Sequence, residues 1–381
     1  MSKGKILSCV QILGGVFALF FILFWIDNKT VSVNDAGLGY NTTKRTNLHK
    51  NGKVFFTSLS ETLKTHQLSN DKYKYYWLGA SQLYAINDYK YGDQTAPYIV
   101  FDALKLEDSR LLTISHPNAY PAEHLVVAAH IISNVNVDGL VIGAVYDDMR
   151  EQNVRREIAD AVTNQNTRRE LGKSIIGRKI MSEADVVIKS IGLKKLDDNV
   201  RRNLMGRSEQ AIVRFLEEHF KAESVRQEGR GQITLLLVRL RQFLEGLRAR
   251  YTRDISNYRY PISDIRYQSN LEAWTELLKL AGRKKIPFLV YIAPRPTDFF
   301  PYDQIKYNKF KKSILRLTQY YGGKFIDLED LIPSKYFGFV DTNFGFLVRD
   351  PFHIQGAGHL LLAYEITKGI KQLKIDSVNL K

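Results

Sequence analysis

Two short segments, far apart in the chain, carry residue types that together perform nucleophilic chemistry. The first contains Ser81, two residues after Gly79 and directly behind an apolar run, 75–78. A serine at the end of a buried strand lies at the carboxyl edge of an α/β sheet, where ligands bind. We expect a sharp turn there into a helix, whose first N–H groups face a developing oxyanion. Leu83 stands where a Gly-x-Ser-x-Gly elbow needs its second glycine, and a plain helix N-cap is the alternative interpretation of this serine.

The second segment contains Asp350 and His353, three residues apart on a predicted loop before the last predicted helix. A carboxylate at this spacing can turn back to bind the imidazole Nδ1–H, which leaves Nε2 free to accept the proton of a serine. The alternative is a structural aspartate that caps a turn beside an unrelated histidine. The order of the two segments along the chain is more specific than either segment alone.

Short apolar runs alternate with helical patterns from Lys72 onward and predict the elements that position these residues. Runs of this kind are typical of strands buried on both faces, so we predict an α/β fold: a three-layer sandwich with a mainly parallel sheet. The predicted strands are Tyr75–Leu78, Pro97–Phe101, Leu111–Ile114, Leu140–Val145, Phe288–Ala293 and Phe325–Leu328. The predicted helices are Pro121–Ser133, Leu271–Ala281, Gln304–Tyr320 and Gly356–Leu373.

An arginine-rich segment at about residues 147–267 interrupts this alternation. Its pattern predicts helices at Val154–Val162, Ser208–His219 and Ile233–Tyr251. Such a helical insertion is either a cap beside the site or a second packing layer with no role in chemistry. The outer domain is then 71–381, and the polar residues 27–70 are a stalk or linker with a short helix near Ser58–Thr65.

The N-terminus has the composition of a membrane-spanning helix. Ile6–Ile26 carries no formal charge, and about 20 such residues span a bilayer core. Lys3 and Lys5 precede it, so the positive-inside rule predicts a single-pass cell-membrane protein with residues 1–26 as cytoplasmic tip and transmembrane helix and the main domain extracytoplasmic. A cleaved signal peptide is the alternative, but the stretch is long for one and no good A-x-A site follows.

Charge and cysteine usage restrict the partners. The only cysteine is Cys9, inside the predicted membrane helix, so the outer domain has no disulfide. The net charge of +15 indicates attraction to anionic lipid or an anionic surface polymer, or else only a solvated basic surface. An outward-facing domain does not meet nucleic acid. No cofactor motif is present, and His124 and His130 fall on different faces of one predicted helix, so neither a cofactor nor a metal site is predicted.

An early Gly-x-Ser and a late Asp-x-x-His resemble the SGNH (GDSL-like) hydrolase family. The resemblance covers roughly residues 74–370, the insertion excepted. It implies that Ser81 is the nucleophile, His353 the general base and Asp350 the residue that orients it.

The middle of the chain departs from that family's pattern. Asn118 falls where the family has a glycine whose N–H helps to form the oxyanion hole, and its backbone or side-chain amide can still donate. The segment 143–148 (Gly-Ala-Val-Tyr-Asp-Asp) replaces the family's Gly-x-Asn. Tyr146 can donate a hydrogen bond there, but a carboxylate would oppose an oxyanion. His116 is a further candidate lining residue, and Arg295 is a candidate to hold an anionic substrate or else a surface arginine.

Within the family, the anchored layout resembles the D-alanine transfer protein of teichoic-acid modification and the alginate-acetyltransferase type. It implies a serine esterase or O-acyltransferase that adds, moves or removes acyl groups on cell-envelope glycan or polymer. It also implies a multi-pass membrane O-acyltransferase as a partner. Two alternatives remain: a non-catalytic member that binds glycan or scaffolds such a partner, and a plain lipase or esterase.

Overall fold

The computed structural model describes residues 46–47, 63, 72–87, 93–105, 109–116, 118–150, 154–189, 262–298, 302–341 and 347–379. The predicted membrane helix, most of the predicted stalk and the predicted helices Ser208–His219 and Ile233–Tyr251 lie outside these residues. Within the described ranges, no helix is both long enough and apolar enough to cross a membrane.

A six-stranded sheet forms the centre of the described chain. Its strands are β1 (Thr46–Asn47), β2 (Tyr73–Gly79), β3 (Ser109–Ser115), β4 (Gly139–Ala144), β5 (Phe288–Ile292) and β6 (Lys324–Asp327). The order is β1-β3-β2-β4-β5-β6, with β1 antiparallel to β3 and the other five strands parallel. The chain moves from β2 outward to β3 and returns to the other side of β2 at β4. The order therefore reverses between β2 and β4, and such a reversal opens a crevice at the carboxyl ends of the strands.

Helices cover both faces of this sheet. They are α1 (Ala96–Lys105), α2 (Pro121–Asn134), α3 (Arg156–Ala159), α4 (Gln165–Leu171), α5 (residues 175–189), α6 (Asp264–Arg283), α7 (Gln304–Tyr320) and α8 (Gly356–Asn379). One core lies between the sheet and α2, α6 and α7, and includes Trp274 and Phe310. The other lies under α1 and α8, and includes Trp77 and Tyr291. The prediction of an α/β fold with a mainly parallel sheet is confirmed.

One predicted strand is a helix. Pro97–Phe101 lies within α1, where Ala96, Val100 and Leu104 recur at helical spacing and are buried against α8. Proline is tolerated in the first turn of a helix because its missing N–H has no intrahelical partner there. The run was too short to separate a buried helix from a buried strand by its pattern.

The predicted loop that carries Asp350 and His353 is a strand. β7 (Phe337–Asp341) and β8 (Leu347–Ile354) form a separate antiparallel hairpin, with an irregular register between Phe337 and Phe339. A proline within a run argues against a strand unless the strand lies at an edge or a bulge. In the described residues β8 pairs with β7 alone, so it is an edge strand, where a proline such as Pro351 is tolerated.

The described part of the predicted insertion is a packing layer. Apolar residues of α3 to α5 and the adjoining turns join the core of α2, including Ile158, Leu171 and Ile180. The His130 Nδ1 atom lies 2.8 Å from Thr167 Oγ1, which ties α2 to α4. Residues 190–261 of this segment lie outside the described chain.

Candidate active site

Ser81 starts a tight turn at the carboxyl end of the central strand β2. The turn is a single 3-10 turn, Ser81–Leu83, and the next helix of the described chain, α1, begins only at Ala96. The sharp turn expected at Ser81 is present, but it leads into this short 3-10 turn and not directly into an α-helix. A Cβ at Gly79 would lie 2.4 Å from Leu83 Cδ1, so any larger residue at the strand end would force the buried Leu83 side chain to move. The turn folds back over the strand and leaves Ser81 half-buried.

Three residues predicted from the two distant segments are in direct contact. The Ser81 Oγ atom lies 2.9 Å from His353 Nε2, and His353 Nδ1 lies 2.8 Å from Asp350 Oδ2. With its proton on Nδ1, the imidazole donates to Asp350 and accepts the Ser81 hydroxyl at Nε2. This is the tautomer that a general base needs.

The Asp350 carboxylate is buried, and both of its oxygens take part in hydrogen bonds. Its exposed fraction is 1 %. Besides the imidazole, Oδ2 accepts a hydrogen bond from Asn87 Nδ2 at 2.9 Å. Oδ1 accepts the backbone N–H groups of Phe352 at 2.9 Å and His353 at 3.1 Å. A carboxylate held in this way cannot rotate away from the imidazole.

The pKa values of the pair move in the directions that general-base catalysis uses. Burial alone would raise the pKa of Asp350, but the His353 imidazole and the hydrogen bonds lower it below its ordinary value. Burial alone would lower the pKa of His353, but Asp350 raises it above its ordinary value. The carboxylate therefore stays charged and strengthens the imidazole as a base.

Three further residues hold the segments of this arrangement in place. Asn87 and Gln82 were not predicted from the sequence, and His359 was expected mainly to pack. Asn87 binds the Asp350 carboxylate, as described above. Gln82 donates from Nε2 to the carbonyls of Pro294 at 3.0 Å and Phe352 at 2.9 Å, which fixes the serine turn to the loop after β5 and to strand β8. His359 accepts the Ala96 N–H at Nδ1 and lies 3.1 Å from the Ala85 carbonyl through Nε2. Of these three residues, only Gln82 could have been suspected from its position in the sequence, because it directly follows Ser81.

A pocket opens beside Ser81, and three of the four remaining candidates line it. They are Asn118, Tyr146 and Arg295. His116 is buried at the end of β3, where its N–H donates to the Gly79 carbonyl at 3.4 Å, and it is not among the lining residues.

Asn118 is held in a strained conformation suited to a tight turn. Its φ of 47° lies in the left-handed region, where asparagine is tolerated better than most residues. Its carbonyl accepts a hydrogen bond from Arg155 Nη2 at 3.2 Å. Arg155 in turn donates to the buried Glu123 carboxylate on α2 from Nε at 2.6 Å. The pair fixes the Asn118 peptide at the pocket wall.

Tyr146 and Arg295 are more constrained than the sequence suggested. The Tyr146 ring packs among Tyr302, Tyr307 and Phe310 at centroid distances of 5.0–5.5 Å. Burial raises the pKa of Tyr146 to about 12, so its hydroxyl stays protonated. Arg295 is paired with Glu329 and lies over the Tyr307 ring at 5.3 Å, so its charge is already compensated.

Two buried carboxyl groups, Asp147 and Asp148, also line the pocket. Asp147 accepts a hydrogen bond from Arg150 at 3.2 Å. Burial, followed by the neighbouring Asp147, raises the pKa of Asp148 well above its ordinary value. The negative charge on Asp148 is therefore disfavoured, which weakens the opposition to an oxyanion that the sequence suggested for this segment.

No family model matches this chain, and a search of the curated proteins finds no match, so the interpretation of the site depends on its geometry. A serine hydroxyl bonded to an imidazole that is itself oriented by a buried carboxylate can form a covalent acyl intermediate. Ser81, Asn118 and the residues at the end of β4 line the same pocket.

Proposed function

We propose that this protein is a serine esterase or O-acyltransferase of the SGNH type that acts on acyl groups of cell-envelope glycan or polymer. One observation carries the proposal: Ser81, His353 and Asp350 form a continuous hydrogen-bonded chain that ends in a pocket at the sheet's carboxyl edge. The position of Ser81 after the central strand and of the Asp-x-x-His segment just before the last helix supports the SGNH assignment.

The proposed reaction has two halves. Ser81 Oγ attacks an ester carbonyl while its proton passes to His353 Nε2, and the alcohol then leaves with that proton. The acyl group stays on Ser81. A sugar or polyol hydroxyl, or water, next gives a proton to His353 and takes the acyl group, and the nature of this acceptor separates a transferase from an esterase.

The cellular setting belongs to the same proposal. The predicted membrane helix would hold the domain outside the cell membrane, and the net charge of +15 suits an anionic envelope polymer. A multi-pass membrane O-acyltransferase would supply the acyl group. A plain lipase is less suitable, since neutral lipid makes no use of this charge.

The alternative is a non-catalytic protein that binds glycan or scaffolds a membrane acyltransferase. Asp147 and Asp148 favour it, because two carboxyl groups in a pocket that must stabilise an oxyanion are unusual. The same experiment separates the two.

A fluorophosphonate probe tests the proposal on the full-length chain in detergent. We expect covalent labelling of the wild type, none of Ser81→Ala, and labelling slowed by about 10³-fold or more in His353→Ala, by analogy with other triads. Ser133→Ala is the matched control, because Ser133 lies beside Lys74, at the opposite end of β2, and should label normally. A folded wild type that takes no label would contradict the proposal and support the non-catalytic alternative.

A further inference from the structure

Asp148 and Ser81 line one pocket because of the strand order. β2 and β4 are neighbouring parallel strands, with Leu78 opposite Ile142, so the segments that follow them leave the sheet side by side. Ser81 comes two residues after β2 and Asp148 four residues after β4, and both line the same pocket. Asp148 is 6 % exposed, so its side chain has little contact with bulk water.

The groups around Asp148 contain more acids than bases. Asp147 precedes it, Glu123 faces it from α2, and Tyr291 faces it from β5. The nearby cations are Arg150 and Arg155.

Each of those arginines is bonded to another carboxylate. Arg150 donates to Asp147 at 3.2 Å, and Arg155 donates to Glu123 at 2.6 Å. Among the described residues, three buried carboxyl groups thus lie near these two cations, and like charges at close range resist ionising together. Ionisation is most disfavoured at Asp148, because burial and then Asp147 raise its pKa well above its ordinary value. Burial also raises the pKa of Glu123, although Arg155 opposes that shift.

We propose that Asp148 is a further catalytic residue, which as a neutral carboxylic acid donates a hydrogen bond to the oxyanion formed when Ser81 attacks an acyl carbonyl. This inference rests on the proposed function. A protonated carboxyl group has an O–H donor, and a carboxylic acid kept neutral by an apolar site serves as an oxyanion donor elsewhere. The carboxyl group then does the opposite of what a charged aspartate would do at this position.

The step balances without a further reactant. The bond from Ser81 Oγ to the carbonyl carbon forms, the carbonyl π pair moves to oxygen, and the hydroxyl proton passes to His353 Nε2. Asp148 shares its proton with the oxyanion but does not transfer it. When the intermediate collapses, the bond to the leaving oxygen breaks, and that oxygen takes the proton from His353.

The proposal predicts an alkaline loss of activity with a specific origin. On the alkaline side, acylation slows as the pH rises through the pKa of Asp148, because Asp148 must be protonated to donate; the acid side is set separately by His353, which must be neutral to accept the proton of Ser81. Removing the negative charge of Asp147 lowers the pKa of Asp148, so Asp147→Asn should move this alkaline limb to lower pH.

The test measures the acylation rate against pH for the full-length chain with p-nitrophenyl acetate. Asp148→Ala should lose about 10²–10³-fold, the usual effect of removing one oxyanion donor. Asp148→Asn keeps a donor that does not titrate, so it should stay at least tenfold faster than Asp148→Ala and lack the alkaline limb.

Two results would overturn this role for Asp148. One is an Asp148→Asn variant as slow as Asp148→Ala, and the other is an alkaline limb that Asp147→Asn leaves in place. The second does not depend on whether Asp148 variants fold. Failure of the proposed function itself is distinguishable, because the wild type would then take no label at Ser81.

Discussion

At the scale of single residues, the site depends on the Asp-x-x-His spacing, which is visible in the sequence, and on a contact from Asn87, which is not. The Asp-x-x-His spacing predicted the bond between Asp350 and His353, because both residues lie within one short segment. The fourth hydrogen bond to Asp350 comes from Asn87, 263 residues away. Asn87 belongs to no motif, and only the folded chain brings it to the carboxylate.

Replacing Asn87 tests the importance of this orientation. A hydrogen bond to a charged group contributes about 1.5–3 kcal/mol, so Asn87→Ala should slow labelling of Ser81 by roughly ten- to a hundredfold. The physical reason is that Asp350 gains freedom to turn away from the imidazole. Asn134→Ala is the control, because Asn134 also makes side-chain hydrogen bonds but lies at the C-terminal end of α2, among residues that do not line the pocket. Equal labelling rates for the two variants would contradict the prediction.

At the scale of elements, the β7–β8 hairpin was not predicted from the sequence. The apolar runs of β2 to β5 are buried and were predicted on that basis, whereas β6, at the edge of the sheet, is only partly buried. The hairpin has no such run, and Pro351 favoured a loop. The hairpin nevertheless carries Asp350 and His353 on β8, while Gly338 on β7 makes room for Asn87: a Cβ at Gly338 would lie 2.0 Å from Asn87 Cγ.

A methyl group at Gly338 should therefore damage the site from the far side of the hairpin. We expect Gly338→Ala to displace Asn87 and to slow labelling at least as much as Asn87→Ala, with the fold retained by circular dichroism. Gly322→Ala is the matched control: its φ is 81° and no atom lies within 4 Å of its Cβ position. That variant should lose about 1 kcal/mol of stability through backbone strain and keep its labelling rate. Normal labelling in folded Gly338→Ala would contradict this account of the hairpin.

At the scale of the whole molecule, the sheet brings chemistry-bearing segments together at one edge. Alternating runs predicted its five parallel strands, but not the contacts between loops that follow different strands. Gln82 and Asp148 illustrate this limit. Gln82 donates to carbonyls after β5 and on β8, and Asp148 reaches the pocket because β4 lies beside β2. Burial in the folded chain also sets the pKa values of three histidines outside the Ser81–His353–Asp350 chain.

Histidine titration followed by NMR should separate the two environments. Burial lowers the pKa of His359, His124 and His130 to about 4, whereas Asp350 raises that of His353. The first three should stay neutral until the pH approaches 4. Each is protonated near 6.5 in the unfolded chain, so the stability that each contributes is complete above about 6.5 and is lost as the pH falls toward 4.

Assignment comes from His359→Gln, whose spectrum lacks one of these signals. A His359 signal that titrates near 6.5 in the folded protein would contradict the burial described for it.

The contacts that assemble the site have one more consequence, which concerns the order of folding. Ser81 to His353, Gln82 to Phe352, Asn87 to Asp350 and Ala96 to His359 all join the same two stretches of chain, across 263 to 272 residues. Closing a loop of that length costs about 5 kcal/mol of chain entropy beyond a constant, so these contacts form only after the sheet has brought the stretches together. Until the C-terminal hairpin docks, Ser81 is an ordinary alcohol. If Ser81 is the proposed nucleophile, a chain whose C-terminal hairpin has not yet docked lacks the imidazole that would activate it, so the proposed activity would appear only once the hairpin is in place.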